Sequence, residues 1–152
     1  MKLFVDTSVL VAGIIDFGAQ SRAPQSIFDA IAEGRIDAPL TTWHCCLETY
    51  SVATRLPAEF RLEPEDAVEL IRHEILERFE IETLPARRRV PFFDTLAIDR
   101  IAGGRVYDAH LAEVARAAGA NVVLTDNRRD FIGLLRHEIR VLTAAEFARE
   151  AL

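Results

Sequence analysis

The chain has 152 residues, of which half are hydrophobic and 28% are charged. These proportions are typical of a soluble globular domain and exclude disordered and fibrous proteins. The net charge of −6 argues against broad electrostatic wrapping of a nucleic acid. It does not exclude a nucleic-acid enzyme, because a few clustered acids can be metal ligands whose charge a cation offsets.

The two cysteines, Cys45 and Cys46, are sequence neighbours and indicate no disulfide framework. Together with His44 they suggest a soft-metal site, but no second cysteine pair accompanies them, so core packing is the preferred interpretation. The apolar run from Val9 to Ile15 is too short to span a bilayer. We expect a single cytoplasmic domain over residues 1–152, with no contact with a membrane.

Short strands and helices alternate in the first half of the chain. The apolar run that begins at Lys2 predicts a strand ending in Asp6, followed by Thr7 or Ser8 as a helix cap. Later residues with helical or alternating spacing predict a helical segment that ends at Gly34, a strand at Ile36–Leu40, a helix at Thr42–Arg55, a helix at Glu65–Phe79 and a weaker strand at Phe79–Leu84.

The second half continues the alternation. Arg87–Arg89 is interpreted as a basic loop, and the continuous apolar run at Asn121–Thr125 predicts a strand covered on both faces. The other predicted elements are helices at Phe92–Ala102 and Tyr107–Ala118, a short helix or turn at Phe131–Leu135, a strand at Ile139–Leu142 and a helix at Ala144–Leu152 capped by Thr143. This order favours an α/β fold, a three-layer α/β/α sandwich with a mainly parallel central sheet.

Several acidic residues stand at positions where a ligand site can form, at the ends of strands or within helices. Asp6 and Asp126 end two strands, and parallel sheets bind ligands at the carboxyl ends of their strands. Asp108 lies near the start of a helix, where an acid interacts favourably with the helix dipole. This interaction explains Asp108 about as well as a functional role does. Glu48 lies inside a helix and, taken alone, is best explained as a solvated position. Convergence of these acids would create repulsion that a bound cation relieves, and Mg²⁺ prefers such oxygen ligands.

Four short segments, taken together, resemble the PIN-domain ribonucleases, specifically the VapC-type toxins of bacterial and archaeal toxin–antitoxin pairs. They are Leu3–Ser8, Leu47–Tyr50, Gly104–Ala112 and Val123–Phe131, in the family's order and spread over most of the chain. The resemblance implies a PIN-like fold and hydrolysis of RNA phosphodiester bonds that depends on Mg²⁺, with Mn²⁺ as a substitute. It also implies a cognate antitoxin as partner and a homodimer.

The resemblance also assigns roles residue by residue. Asp6 and Asp108 match the two aspartates that hold the metal, and Glu48 matches the family's glutamate in the third helix. The fourth position of the family falls on Asn127, which supplies no charge and therefore leaves the number of metals open. Asp130 matches a further polar position of the family that can compensate, and Asp126 is the local alternative.

Other residues receive simpler interpretations. Arg128 and Arg129 follow the acidic cluster and favour contact with RNA phosphates, whereas Arg87–Arg89 is best explained as solvated. His110 lies two residues from Asp108 on a helix and is interpreted as structural. The resemblance places antitoxin binding and dimer contacts on the first helices, although core packing explains part of their apolar character. The apolar positions there are Leu10, Ile14, Ile27, Phe28 and Ile31.

Two alternatives stay open from the sequence. The first is a PIN-like nuclease of RNA processing or DNA maintenance that is not a toxin. The second is a nucleic-acid-binding module whose acidic cluster has degraded, which the neutral Asn127 keeps open. A phosphoryl-transfer response domain also gathers acids at strand ends but needs a later lysine, and the only lysine here is Lys2.

Overall fold

The computed structural model describes every residue from Met1 to Leu152 and contains one five-stranded sheet. All four strand pairings are parallel, and the spatial order is β3-β2-β1-β4-β5. The strands are β1 (Lys2–Val5), β2 (Ala38–Thr42), β3 (Glu80–Glu82), β4 (Val122–Leu124) and β5 (Arg140–Leu142). The predicted parallel sheet is therefore confirmed.

Helices cover both faces of this sheet. They are α1 (Thr7–Ile14), α2 (Arg22–Ala32), α3 (Trp43–Ala53), α4 (Pro64–Ile71), α5 (Ala86–Ile98), α6 (Arg105–Ala117), α7 (Arg128–Phe131) and α8 (Ala144–Ala151). Successive side chains of a strand point to opposite faces, and every residue of β4 is buried. Since both faces of the sheet are thus shielded from water, the predicted α/β/α sandwich is confirmed. None of the helices combines the length and the apolar composition needed to cross a membrane.

The strand order fixes where a ligand site can form. From β1 the chain proceeds outward through β2 to β3, then returns to the other side of β1 to form β4 and β5. The sheet therefore changes its winding direction between β1 and β4, which opens a crevice at their carboxyl ends. Val5 pairs with Leu124 across this junction, so Asp6 and Thr125 emerge side by side at the crevice.

Several predicted boundaries are wrong, and the largest difference concerns the arginine run. Arg87–Arg89 is not a loop but part of the first turns of α5, which continues through Pro91. Proline marks the start of a helix more often than its interior, which explains why the predicted start at Phe92 lies six residues after the observed start at Ala86. The long helix predicted up to Phe79 instead ends as α4 at Ile71 and continues as a wider π-helical turn over Arg72–Leu76.

The apolar residues of the first two helices lie in the core rather than on a docking surface. Leu10, Ile27, Phe28 and Ile31 are all buried within one large hydrophobic cluster, and Ile14 is partly buried against it. The expectation that they form a partner surface is therefore wrong for the four buried side chains. Their apolar character serves the packing of α1 and α2 on the sheet and on each other.

The contact between α1 and α2 supplies a test of this packing. A Cβ atom added at Gly13 would lie 2.4 Å from the ring of Phe28, which is buried. We expect Gly13→Ala to lower the free energy of unfolding by about 1–3 kcal/mol, because the ring has little room to move. Urea denaturation measures this loss. The matched control is Gly133→Ala, where an added Cβ meets nothing within 4 Å; equal stability of the two variants would contradict the packing described here.

Candidate active site

Asp6 is the buried acid at the centre of the crevice. Its backbone N–H donates to the Leu124 carbonyl at 3.0 Å, which continues the pairing of β1 with β4 by one residue. The Thr125 hydroxyl donates to Asp6 Oδ2 at 2.8 Å, and the Ser8 hydroxyl lies 3.4 Å from the same oxygen. The pKa of Asp6 is raised to about 6, mainly by burial and also by the negative charges of Glu48 and Asp108, while the hydrogen bonds from the Thr125 hydroxyl and the Thr7 backbone oppose the rise.

Glu48 reaches the crevice from α3. The Thr7 hydroxyl donates to Glu48 Oε2 at 2.8 Å, and His44 Nε2 lies 3.8 Å from the same oxygen. The expectation that Thr7 or Ser8 caps α1 is wrong, because Asp6 is the residue that precedes the helix and no side chain caps its N-terminus. The Thr7 hydroxyl is instead directed at Glu48 and fixes the orientation of this carboxylate.

Asp108 projects from the first turn of α6. Partial burial raises its pKa, the charges of Asp130 and Glu48 raise it further, and His44 opposes them. These effects place Asp130 and Glu48 within electrostatic range of Asp108. The fold thus brings together four of the five residues singled out from the sequence as acids or polar partners, namely Asp6, Glu48, Asp108 and Asp130.

Asn127, the fifth of these residues, stands at the entrance of the crevice. Its backbone N–H donates to the Thr125 hydroxyl at 3.0 Å, the same hydroxyl that donates to Asp6. Asp126 is exposed like Asn127, but its backbone N–H donates to the Ser8 hydroxyl at 3.1 Å rather than to the Thr125 hydroxyl. Asp130 raises the pKa of Asp108 and Asp126 does not figure among the charges that do so, which favours Asp130 as the additional acid.

The donor chemistry of this crevice suits a hard divalent cation. The groups that converge are carboxylates. Burial is the main cause of the raised pKa values of Asp6 and Asp108, and neighbouring carboxylates add to both, Glu48 and Asp108 at Asp6 and Asp130 and Glu48 at Asp108. No three of the acidic, histidine or cysteine side chains already form a closed ligand cluster. Carboxylate oxygens are the donors that Mg²⁺ prefers, and one or two of them suffice when water and phosphate oxygens complete the shell of the ion.

Sequence reasoning missed the contribution of His44 and Tyr107. The two rings stack almost in parallel, with centroids 5.8 Å apart and 7° between their planes. Cys45 and Cys46, which follow His44 in the sequence, are buried in the core as predicted. His44 is not buried with them. The only hint in the sequence is that Tyr107, an aromatic residue, directly precedes Asp108; the structure shows that its ring is exposed.

Comparison with known proteins follows from this geometry. The model of the PIN domain family matches residues 2–129 of the chain. The chain belongs to the PIN-domain family. Ribonuclease VapC40 of Mycobacterium tuberculosis is 34% identical over 139 residues, which is 91% of this chain and 97% of VapC40. Ribonuclease VapC27 of the same species is 41% identical over 86 residues, 56% of this chain, and the match spans only 60% of VapC27.

Solved structures of PIN-domain proteins share the fold described above. The crystal structure of VapC20 from Mycobacterium tuberculosis, a toxin that cleaves the sarcin–ricin loop, matches with a TM-score of 0.66 and 19% identity, over 91% of this chain and 99% of VapC20. VapBC-1 from nontypeable Haemophilus influenzae matches with a TM-score of 0.62 and 15% identity, over 95% and 99% of the two chains. The resemblance to VapC-type PIN domains inferred from four short segments is confirmed.

The raised pKa of Asp6 predicts a stability effect that depends on pH. Its ordinary value is 3.8 and its value in the fold is about 6, so the folded state binds the proton more tightly than the unfolded chain. The ionised side chain therefore lowers the free energy of unfolding by about 3 kcal/mol above pH 6, and this penalty fades between pH 6 and 3.8. We expect Asp6→Asn to stabilise the protein at pH 8 and to have little effect at pH 4.

The measurement is chemical denaturation across this pH range in the presence of EDTA. The exposed Asp126 provides the control, because Asp126→Asn removes a charge without removing a buried one. A stability difference for Asp6→Asn that stays constant from pH 4 to pH 8 would contradict the burial of this carboxylate.

Proposed function

We propose that this protein is a metal-dependent endoribonuclease that acts as the toxin of a type II toxin–antitoxin pair. The observation that carries the proposal is the convergence of Glu48 and Asp108 on the buried Asp6, with Asp130 near Asp108, at the strand junction of a PIN-domain chain. The ribonuclease VapC40, which aligns with nearly the whole chain, supports the same reaction class.

The acidic crevice fits Mg²⁺, and we assign Asp6 and Asp108 as its ligands, with Mn²⁺ as a substitute. A cation bound there supplies charge neutralisation for the phosphate and lowers the pKa of a coordinated water. The Thr125 and Ser8 hydroxyls both approach Asp6 Oδ2 and fix the orientation of this carboxylate. The Thr7 hydroxyl directs Glu48 in the same way, and Glu48 then orients a nucleophilic water or helps to hold the ion.

Electrostatics explains how an acidic protein engages RNA through this site. The carboxylates repel phosphate until a cation offsets their charge. Arg129 is exposed and has no carboxylate within ion-pair distance, so it is free to contact a phosphate, whereas Arg128 pairs with Glu146 at 2.9 Å. Of the two arginines singled out from the sequence, Arg129 is therefore the better candidate for a phosphate contact.

An antitoxin partner is supported by a separate part of the surface. Leu47, Val68 and Leu76 are exposed apolar residues that line one groove between α3 and the region after α4. Exposed apolar surface of this kind is typical of protein contacts. We therefore place antitoxin binding on α3 and α4 rather than on α1 and α2, and we expect a homodimer that acts in the cytoplasm.

Cleavage of a total RNA pool tests the reaction. We expect the purified protein, shown free of bound antitoxin, to cut RNA with Mg²⁺ or Mn²⁺ and to stop in EDTA. Asp6→Asn and Asp108→Asn should lower the rate by about 100-fold or more, because each removes a ligand of the cation that would stabilise charge at the reacting phosphate. Full activity of both variants would contradict the assigned ligands. No cleavage by the wild-type protein would favour the degraded binding module that the neutral Asn127 suggests.

The additional acid can be assigned by comparing two neighbours. Asp130→Ala should weaken Mg²⁺ binding, measured by isothermal titration calorimetry, more than Asp126→Ala does, because of these two acids only Asp130 raises the pKa of Asp108. The two variants remove the same group within one short segment, so each serves as the control for the other. The reverse ranking would assign the position to Asp126.

A further inference from the structure

A groove with a volume of about 440 Å³ lies beside the acidic crevice. Thr42 and Glu82, the last residues of β2 and β3, form part of its wall. The groove therefore lies over the same edge of the sheet as Asp6, displaced by one to two strands, which corresponds to about 5–10 Å. The residues that give it its character are Trp43, His44, Arg89, Phe92, Phe93 and His110.

The groove is continuous with the acids through His44. This ring lines the groove, and its Nε2 lies 3.8 Å from Glu48 Oε2. On one side it stacks on Tyr107, the residue before Asp108. A nucleotide held in the groove would therefore be a direct neighbour of a phosphate held at the acids.

Two large aromatic side chains of the groove are open to solvent. Trp43 is 52% exposed and Phe93 is 70% exposed. Neither contributes to the core, and such rings on a surface are typical of a binding site. Phe92 supports the wall from behind, with its centroid 6.3 Å from Phe93 and 6.0 Å from His110, whose ring meets it edge-on.

Arg89 adds hydrogen-bond donors to these rings. Its Nε donates to the Leu84 carbonyl at 3.3 Å, which ties the side chain to the groove wall. No carboxylate lies within ion-pair distance of Arg89, although Arg88 beside it pairs with Glu113. The guanidinium group therefore keeps its terminal N–H groups for a ligand.

We infer that this groove binds an unpaired RNA base adjacent to the cleaved phosphate, with Trp43 and Phe93 as stacking surfaces and Arg89 as the donor to the base edge. Proteins recognise single-stranded RNA by stacking unpaired bases on aromatic and guanidinium planes and by hydrogen-bonding their edges. The mixture of aromatic rings, imidazoles and an unpaired arginine matches this chemistry better than it matches an aliphatic protein segment. The inference rests on the proposed function, since it specifies the substrate of the same site.

Trp43 is the only tryptophan of the chain, so its fluorescence reports on ligands of this groove and of the antitoxin groove that it also lines, whereas Phe93 lines this groove alone. The probe is an unpaired oligoribonucleotide that the active protein cuts or, if none is cut, a mixed-sequence one, titrated into the non-cleaving Asp6→Asn protein with Mg²⁺. We expect saturable quenching by this strand and little quenching by the same strand in a duplex. In the same background Phe93→Ala should raise the Kd by about 10-fold, within the range of a lost base–aromatic stack.

The matched control for Phe93→Ala is Ile98→Ala, which removes another exposed apolar side chain of α5 outside the groove. It should leave the Kd unchanged. Absence of saturable quenching, or an equal Kd for Phe93→Ala and its Asp6→Asn parent, would overturn the inference.

Cleavage kinetics with the wild-type active site separate this inference from the proposed function. Trp43→Ala should raise KM and shift the preferred cleavage sites, whereas Trp43→Phe, which keeps a stacking ring, should preserve both. Quenching without any RNA cleavage by the wild-type protein would retain the base site and reject the proposed nuclease. Groove variants that cleave with unchanged KM and sites but fail to bind an antitoxin would overturn the base site and assign the groove to a protein partner.

Discussion

The constraint on which the site depends is the burial of one carboxylate, Asp6, at the point where the parallel sheet changes its winding direction. Burial in this crevice raises the pKa of Asp6 to about 6, so the fold holds this charge in a place where water stabilises it poorly. The Thr125 hydroxyl offsets part of the penalty, and Glu48 and Asp108 add to it. We propose that a bound cation relieves the remaining repulsion, so that the fold gives up local stability for a site able to hold metal and phosphate.

Most of the fold could be predicted because the strands carry strong local signals. The continuous apolar runs at β1 and β4 require cover on both faces, and their alternation with helices leaves few topologies other than a parallel sheet. Helix boundaries were less predictable where packing overrides local preference. Pro91 lies inside α5 instead of starting it, and the helix that begins at Pro64 changes to a π-helical turn after Ile71.

Asp6 could be singled out from its position after a strand, and Glu48, Asp108 and Asp130 mainly from the resemblance to PIN domains, but the contacts that support these side chains could not be predicted. From the sequence, Thr7 could cap α1 or donate to a carboxylate. Only the packing of α3 shows that its hydroxyl donates to Glu48. The groove of Trp43 and Phe93 combines residues about 50 positions apart, whose separate spacings resemble ordinary core positions. Exposure distinguishes them from the core, and exposure is a property of the packed structure alone.

The measurement that tests the central claim most directly is the melting temperature of the protein as Mg²⁺ is titrated, beside Asp6→Asn under the same conditions. A cation that binds the native acids stabilises the fold by mass action. We predict a rise for the wild-type protein of about 5 °C or more at a 100-fold excess over Kd, and a much smaller rise for Asp6→Asn. Equal melting temperatures of the wild-type protein in EDTA and in saturating Mg²⁺ would contradict a preformed metal site.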